Sequence, residues 1–140
     1  LQMAILYFGK REFKRANKYL VRLKLENSYG HLDAAFKLKI CMVEMIVRYE
    51  MGDLDFIEHQ LKQMKREFAD LLGESMFSVE SELLWMLGEM TGNGNWQQNK
   101  NLLHRMQDVV KKTQGKEYAD TEIINYQAWL TSKLSALKKH

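Results

Sequence analysis

The chain has 140 residues, a formal net charge of +3, and a composition that is 46% hydrophobic and 28% charged. This length and composition predict one domain over residues 1–140 with a single core, and they exclude a chain too polar to fold. The sequence contains no proline and one cysteine, which favours uninterrupted helices and excludes an intramolecular disulfide bond.

Apolar residues that recur three and four positions apart predict amphipathic helices along the chain. The first two are expected over residues 2–8 and from about Glu12 to Glu26. The third, over residues 29–51, is apolar around most of its circumference, so we expect it to lie between neighbours on two sides. Cys41 belongs to this helix and is predicted to be a small buried hydrophobe. A thin polar stripe runs along the same helix and consists of Asp33, Lys37, Glu44 and Arg48.

The fourth predicted helix has the clearest pattern, a narrow apolar seam bounded by turn residues. Gly52 suits a left-handed turn before this helix, Asp53 is placed to cap its start, and Gly73 is placed to close its far end. The seam comprises Leu54, Ile57, Leu61, Met64, Phe68 and Leu71.

The remaining helices continue an alternation of broad and narrow apolar surfaces. The helix from Phe77 to Met90 is broadly apolar, and the next has a narrow seam opened by a capping box of Asn95 and Gln98. The last helix, from about Tyr118, is expected to carry polar side chains suited to capping the array, Lys133 among them. Four methionines are predicted to fill the core: Met42, Met45, Met86 and Met90.

An internal repeat links these helices. Three short turns each join two helices, and an apolar residue opens the second helix each time: Phe13, Leu54 and Trp96. These residues stand 41 and 42 positions apart. Because a steady period of this size is typical of stacked helical arrays, we predict a stack of antiparallel helix pairs.

The repeat resembles a divergent tetratricopeptide-like motif. Phe13, Ala16 and Leu20 match the family's aromatic–small–large pattern, and Gly52-Asp53-Leu54 matches its turn. The sequence is also similar to degenerate repeats of uncharacterised bacterial proteins. The period exceeds the family's roughly 34 residues, and the proline that ends each motif is missing. The resemblance implies a right-handed superhelix of about seven helices that binds a peptide or protein along its concave face. It points to the polar stripe as the binding face, although an ordinary solvated stripe is the favoured interpretation of the same residues.

A basic stripe on the second helix offers another candidate surface. The segment from Lys10 to Glu26 contains seven basic and two acidic residues, and no exposed aromatic residue is expected between its charges. A solvated face is the favoured interpretation. The alternatives are an acidic protein partner or adjoining domain and, less favoured, nucleic acid. The stripe comprises Arg11, Arg15, Lys18 and Arg22.

The sequence lacks the patterns of several kinds of chemistry. No Glu-x-x-His or His-Glu-x-x-His motif exists, and His104 with Asp108 is interpreted as a surface pair. The glycine-rich turn 91–95 has neither the lysine nor the strand of a phosphate-binding loop. We therefore predict no catalytic residue, no metal and no cofactor, so the chain is not expected to be an enzyme.

These patterns together favour a protein-interaction scaffold. The alternatives are a helical sensory or regulatory domain of a larger regulator, able to dimerise, and a basic nucleic-acid-binding helical domain. Because the chain begins with Leu1-Gln2, we interpret it as a piece of a longer protein. A cytoplasmic location is expected, since no apolar run approaches the ~20 residues of a membrane span and no disulfide framework exists.

Overall fold

The computed structural model describes residues 1–114 and 123–137, and this part of the chain is all-helical with no strand. Short 3₁₀ turns cover Asn27–His31, Ser75–Phe77 and Trp96–Gln98. No helix within the described ranges has the length and apolar character to cross a membrane. The α-helices are α1 (Gln2–Gly9), α2 (Phe13–Leu25), α3 (Ala34–Glu50), α4 (Leu54–Glu67), α5 (Ala69–Leu72), α6 (Ser78–Gly92), α7 (Lys100–Lys112) and α8 (Tyr126–Leu137).

The helices pack mainly against their neighbours in the sequence. Contacts join α1 to α2, α2 to α3, α3 to α4, α4 to α6, α6 to α7 and α7 to α8, and α3 also contacts α6. Every residue from position 40 to position 47 of α3 is buried. This confirms that a helix with so little polar surface lies between neighbours. The core also contains Cys41 and the methionines Met42, Met45, Met86 and Met90, as predicted.

The turn before α4 follows the prediction only in part. Gly52 adopts a left-handed φ of 77°, as expected. Asp53 stands at the start of α4 but makes no capping hydrogen bond, because its carboxylate accepts from Arg48 at 2.8 Å. Leu54 is 43% exposed, so its place in the buried seam was wrong and the seam begins at Ile57. Gly73 follows the short α5 rather than α4.

The predicted capping box at Asn95 and Gln98 is also wrong. Trp96–Gln98 forms a 3₁₀ turn that buries the Trp96 indole, and this turn delays the start of α7 to Lys100. The Asn99 side chain caps the helix instead, accepting from the Leu102 amide at 3.1 Å.

The last helix departs most from expectation. Within the described residues α8 begins at Tyr126 and is capped by Asn125, which accepts from the Ala128 amide at 2.9 Å. The predicted start at Tyr118 lies outside the described residues. Lys133 does not belong to an outward polar side, since its ammonium is paired with Glu50 and its side chain is 19% exposed.

α8 lies across the end of the molecule where the three inter-helix turns are found. Ala128, near its start, lines a groove together with Phe13 of the first turn. The Trp129 indole Nε1 donates to Glu50 Oε1, beside the second turn, at 2.8 Å. Leu137 lines a pocket with Trp96 of the third turn. This crossing helix creates the concave features described next.

Candidate interaction surface

The polar stripe on α3 is largely engaged within the molecule. Asp33 caps the helix, its Oδ1 accepting from the Phe36 amide at 2.8 Å. Lys37 Nζ donates to the Gly30 carbonyl at 3.1 Å, and it lies 5.7 Å from the centroid of the Tyr29 ring.

The other half of the stripe is more strongly held. Glu44 is 3% exposed and accepts from Lys24 Nζ of α2 at 2.9 Å. Arg48 pairs with Asp53 at 2.8 Å, and its guanidinium lies 4.2 Å from the centroid of the Phe56 ring. A partner that approached α3 would have to displace these contacts. The binding role of the stripe stays a prediction, and Glu44 is not accessible to a partner.

Titratable groups cluster around Glu44. Burial opposes protonation of Lys24, but its hydrogen bond with Glu44 and the attraction between the two charges outweigh burial, so the pKa of Lys24 is raised. Burial also raises the pKa of the Cys41 thiol, whose sulfur lies 3.8 Å from the Tyr29 hydroxyl. A buried thiol with a raised pKa is a poor nucleophile. The pair of Lys24 and Glu44 joins α2 to α3.

The basic stripe on α2 has the opposite character. Arg11, Arg15, Lys18 and Arg22 are all exposed, as the amphipathic pattern predicted. Arg15 lies 3.5 Å from Glu12 across two well-exposed side chains. Throughout residues 1–114 and 123–137, no carboxylate lies within ion-pair distance of the other three cations. Arg11 in the first turn and Lys18 and Arg22 on α2 are therefore exposed positive charges without a carboxylate partner among the described residues.

Half-buried aromatic side chains accompany this stripe, and no aromatic residue between its charges is exposed, as expected. Tyr7 of α1 and Tyr19 of α2 are half-buried and stack with their ring centroids 5.6 Å apart and their planes inclined by 11°. Arg15 lies 5.6 Å from the Tyr7 centroid, and Arg22 lies 5.6 Å from the Tyr19 centroid. Sequence analysis missed this pair because Tyr7 belongs to the neighbouring helix. The spacing of Tyr19 from Arg15 and Arg22, by four and three positions, was the available signal.

A groove opens beside the start of the stripe, between the first turn and α8. Its volume is about 440 Å³. Half-buried Ile5, Phe8 and Phe13 form one wall, and Ile123 with the more deeply buried Trp129 contributes to the other. These side chains make the groove an apolar concavity that remains open to solvent.

Charge at the groove is uneven. Glu50 lines it, but the Glu50 carboxylate is already held by Trp129 and Lys133. Arg11 lines the same groove and also a second concavity that extends along α2 past Lys14. The apolar groove and the basic stripe therefore meet at Arg11.

Arg11 has an unusual backbone conformation. Its φ is 60°, the only positive value at a non-glycine residue in the described part of the chain. Arg11 precedes Phe13 by two positions, as Gly52 precedes Leu54, so the two residues occupy equivalent places in their turns. The left-handed conformation costs a non-glycine residue about 1–2 kcal/mol relative to the right-handed one. The first turn thus holds an arginine where the second holds a glycine.

Other polar clusters in the described residues have a structural explanation. His104 and Asp108 are 3.6 Å apart on an exposed surface, as expected. Arg105 makes a bidentate pair with Glu82 and stacks on the Trp85 ring at 3.6 Å, which joins α6 to α7. No group of three or more candidate metal ligands is found within the described ranges.

Comparison of the chain with models of known protein families, with curated proteins and with solved structures finds no match.

Proposed function

We propose that this chain is a protein-interaction module whose partner is an acidic protein segment bound along the exposed face of α2. The observation that carries this proposal is the contrast between the two charged stripes. Glu44 and Arg48 on α3 are paired inside the molecule, whereas Arg11 in the first turn and Lys18 and Arg22 on α2 face solvent without a carboxylate partner in the described residues. Unneutralised charge of one sign attracts and orients a ligand of the other sign.

A tetratricopeptide-like stack is the architecture that we propose for this module. Its support is the regular spacing of the three turns and the succession of contacts between consecutive helices. The right-handed superhelix and its concave binding face are part of the same proposal. The binding role, however, is assigned to the α2 surface rather than to the α3 stripe.

A protein segment is favoured over nucleic acid because of the aromatic pair. Proteins that bind single strands without sequence preference stack the bases on free aromatic faces. Tyr7 and Tyr19 instead stack on each other, and two arginine side chains lie beside the rings.

The test is a fluorescence-anisotropy titration with a defined probe, a labelled peptide that has three aspartates on each side of a central phenylalanine. Lys18→Glu/Arg22→Glu should weaken binding by about 0.8–4 kcal/mol, a factor of about four or more, because it removes two exposed pairs and adds two repulsions at about 0.2–1 kcal/mol each. Because the charges are exposed, binding should also weaken as salt rises from 0.05 to 0.5 M.

A matched control is available on α4. Lys62 and Arg66 are also exposed and also lie four positions apart, so Lys62→Glu/Arg66→Glu changes the net charge equally. This control should bind the peptide within about threefold of the wild type. Equal losses in both variants would indicate a response to net charge alone and would contradict the proposal. Tighter binding of a single-stranded oligonucleotide, lost only in the α2 variant, would favour the nucleic-acid alternative.

A further inference from the structure

We propose that the groove between the first turn and α8 receives one aromatic or aliphatic side chain of the acidic segment, while Arg11 at its rim binds the adjacent carboxylate. This inference rests on the proposed function and adds an anchoring site to it. It identifies the ligand as an acidic segment with an embedded apolar residue, rather than as a uniformly charged one.

The walls of the groove supply the first argument. Phe8 and Phe13 meet edge to face with centroids 5.8 Å apart, and both rings are only half-buried. Ile123 is half-buried on the opposite side. An apolar side chain that entered would remove these surfaces from water, which contributes about 25 cal/mol for each Å² buried. The volume of about 440 Å³ is ample for one large side chain.

Charge complementarity supplies the second argument. Glu50 is the carboxylate that lines the groove, and its Oε1 is already bonded to Trp129 and Lys133. Arg11 has no carboxylate partner in the described part of the chain. The second concavity joins it to Lys14 and Arg15 and is also lined by Glu12, which pairs with Arg15, and by the engaged Glu50. A ligand with an apolar side chain flanked by carboxylates would fill the apolar groove and also pair with Arg11.

The backbone of the first turn supplies the third argument. A left-handed φ holds Arg11 at the junction of the groove and the basic stripe, although glycine would adopt this conformation without strain. The equivalent Gly52 lines neither concavity. Strained non-glycine positions of this kind are enriched where a side chain has a binding task.

The experiment compares the phenylalanine probe with a peptide of the same charge that has serine at its centre. The wild-type protein should bind the phenylalanine peptide about tenfold more tightly, because the groove buries one large apolar side chain but is open on one side. Arg11→Gly should weaken binding of both peptides about threefold or more.

A second variant blocks the groove without removing a wall. Ala128 is exposed, lines the groove and belongs to α8, so Ala128→Trp should fill the space and abolish the preference for phenylalanine. Thr131→Trp is the matched control, since Thr131 is exposed on the same helix and lines none of the concavities described above. It should retain the preference. Circular dichroism verifies that each variant is folded.

The outcomes separate the two proposals. Equal binding of both peptides by the wild type, with the loss in Lys18→Glu/Arg22→Glu retained, would overturn the anchoring site and leave the proposed function standing. Absence of salt-dependent binding to either peptide would overturn both. A self-association measured by sedimentation and abolished by Ala128→Trp would identify a second copy of this chain as the occupant, and it would also overturn the inference.

Discussion

The ion pair between Lys24 and Glu44 gives the sharpest test of how the two charged stripes differ. The side chains of Lys24 and Glu44 are 27% and 4% exposed. Lys24→Met keeps most of the apolar stem but leaves the Glu44 carboxylate buried without its cation. Removing one partner of a buried pair costs about 3–5 kcal/mol. Because water reaches the Lys24 side, we expect a loss near 3 kcal/mol, at the lower end of that range.

The reverse substitution should be much milder. Glu44→Met removes the buried charge, and the long stem of Lys24 allows its ammonium to turn toward solvent. We expect a loss of about 1 kcal/mol or less, and the double variant Lys24→Met/Glu44→Met should lie within about 1 kcal/mol of the wild type. Urea unfolding followed by circular dichroism at pH 7 measures all four proteins.

The pair also predicts a pH dependence. The pKa of Lys24 is raised above its usual 10.5 in the folded state. The contribution of the Lys24 charge to the unfolding free energy is therefore complete below pH 10.5 and is lost as the pH rises through the pKa of the folded state. The wild type should therefore lose more stability above pH 10.5 than Lys24→Met does. A Lys24→Met protein as stable as the wild type, or losses of equal size for both single variants, would refute the assignment of Glu44 as a buried partner.

Three further predictions concern the core, the turns and a buried acid, and each is measured by the same unfolding assay. Leu61→Ala should lower the unfolding free energy by ~2–5 kcal/mol, because Leu61 is 8% exposed where α4 meets α6; a negligible change would contradict its burial. Gly52→Ala should lower the unfolding free energy by about 1 kcal/mol because of the left-handed φ of this residue, whereas Arg11→Gly should not lower it measurably. A larger loss for Arg11→Gly than for Gly52→Ala would contradict the turn geometry. Burial raises the pKa of Glu80 above its usual 4.5, so the unfolding free energy falls as the pH rises through the pKa of the folded state. Glu80→Gln should therefore raise the unfolding free energy, relative to the wild type, more at pH 7 than at pH 4. A difference that does not change with pH would contradict this.

The approximate positions of most helices could be predicted because each depends on local spacing, although α3 begins at Ala34, after a 3₁₀ turn, rather than at residue 29. The seam from Ile57 to Phe68, the burial of the methionines and the left-handed Gly52 all follow from apolar periodicity and backbone sterics, and the structure confirms them. The capping box failed because a 3₁₀ turn competes with the start of α7. Local sequence does not separate the two outcomes, since burial of Trp96 in the fold decides between them.

The relative placement of the helices could not be predicted in the same way. Glu44 and Lys24 stand 20 positions apart on consecutive helices, and the rotation of one helix against the other decides whether they meet. The contact between Trp129 and Glu50 spans 79 positions. No periodic pattern in the sequence predicts this contact, so the groove under α8 could not be predicted. The exposure of the charges in the basic stripe to solvent could be predicted. The apolar groove that adjoins the stripe could not be predicted.

The most direct test of the central claim is to map the bound peptide on the protein by nuclear magnetic resonance. Backbone amide shifts of the isotopically labelled chain would be followed while the phenylalanine probe is added at 0.05 M salt. We predict shifts concentrated at Arg11, Arg15, Lys18 and Arg22, continuing to Ala128 on α8. Shifts confined to Asp33 and Lys37 on α3, with none on α2, would contradict it and return the binding site to the polar stripe.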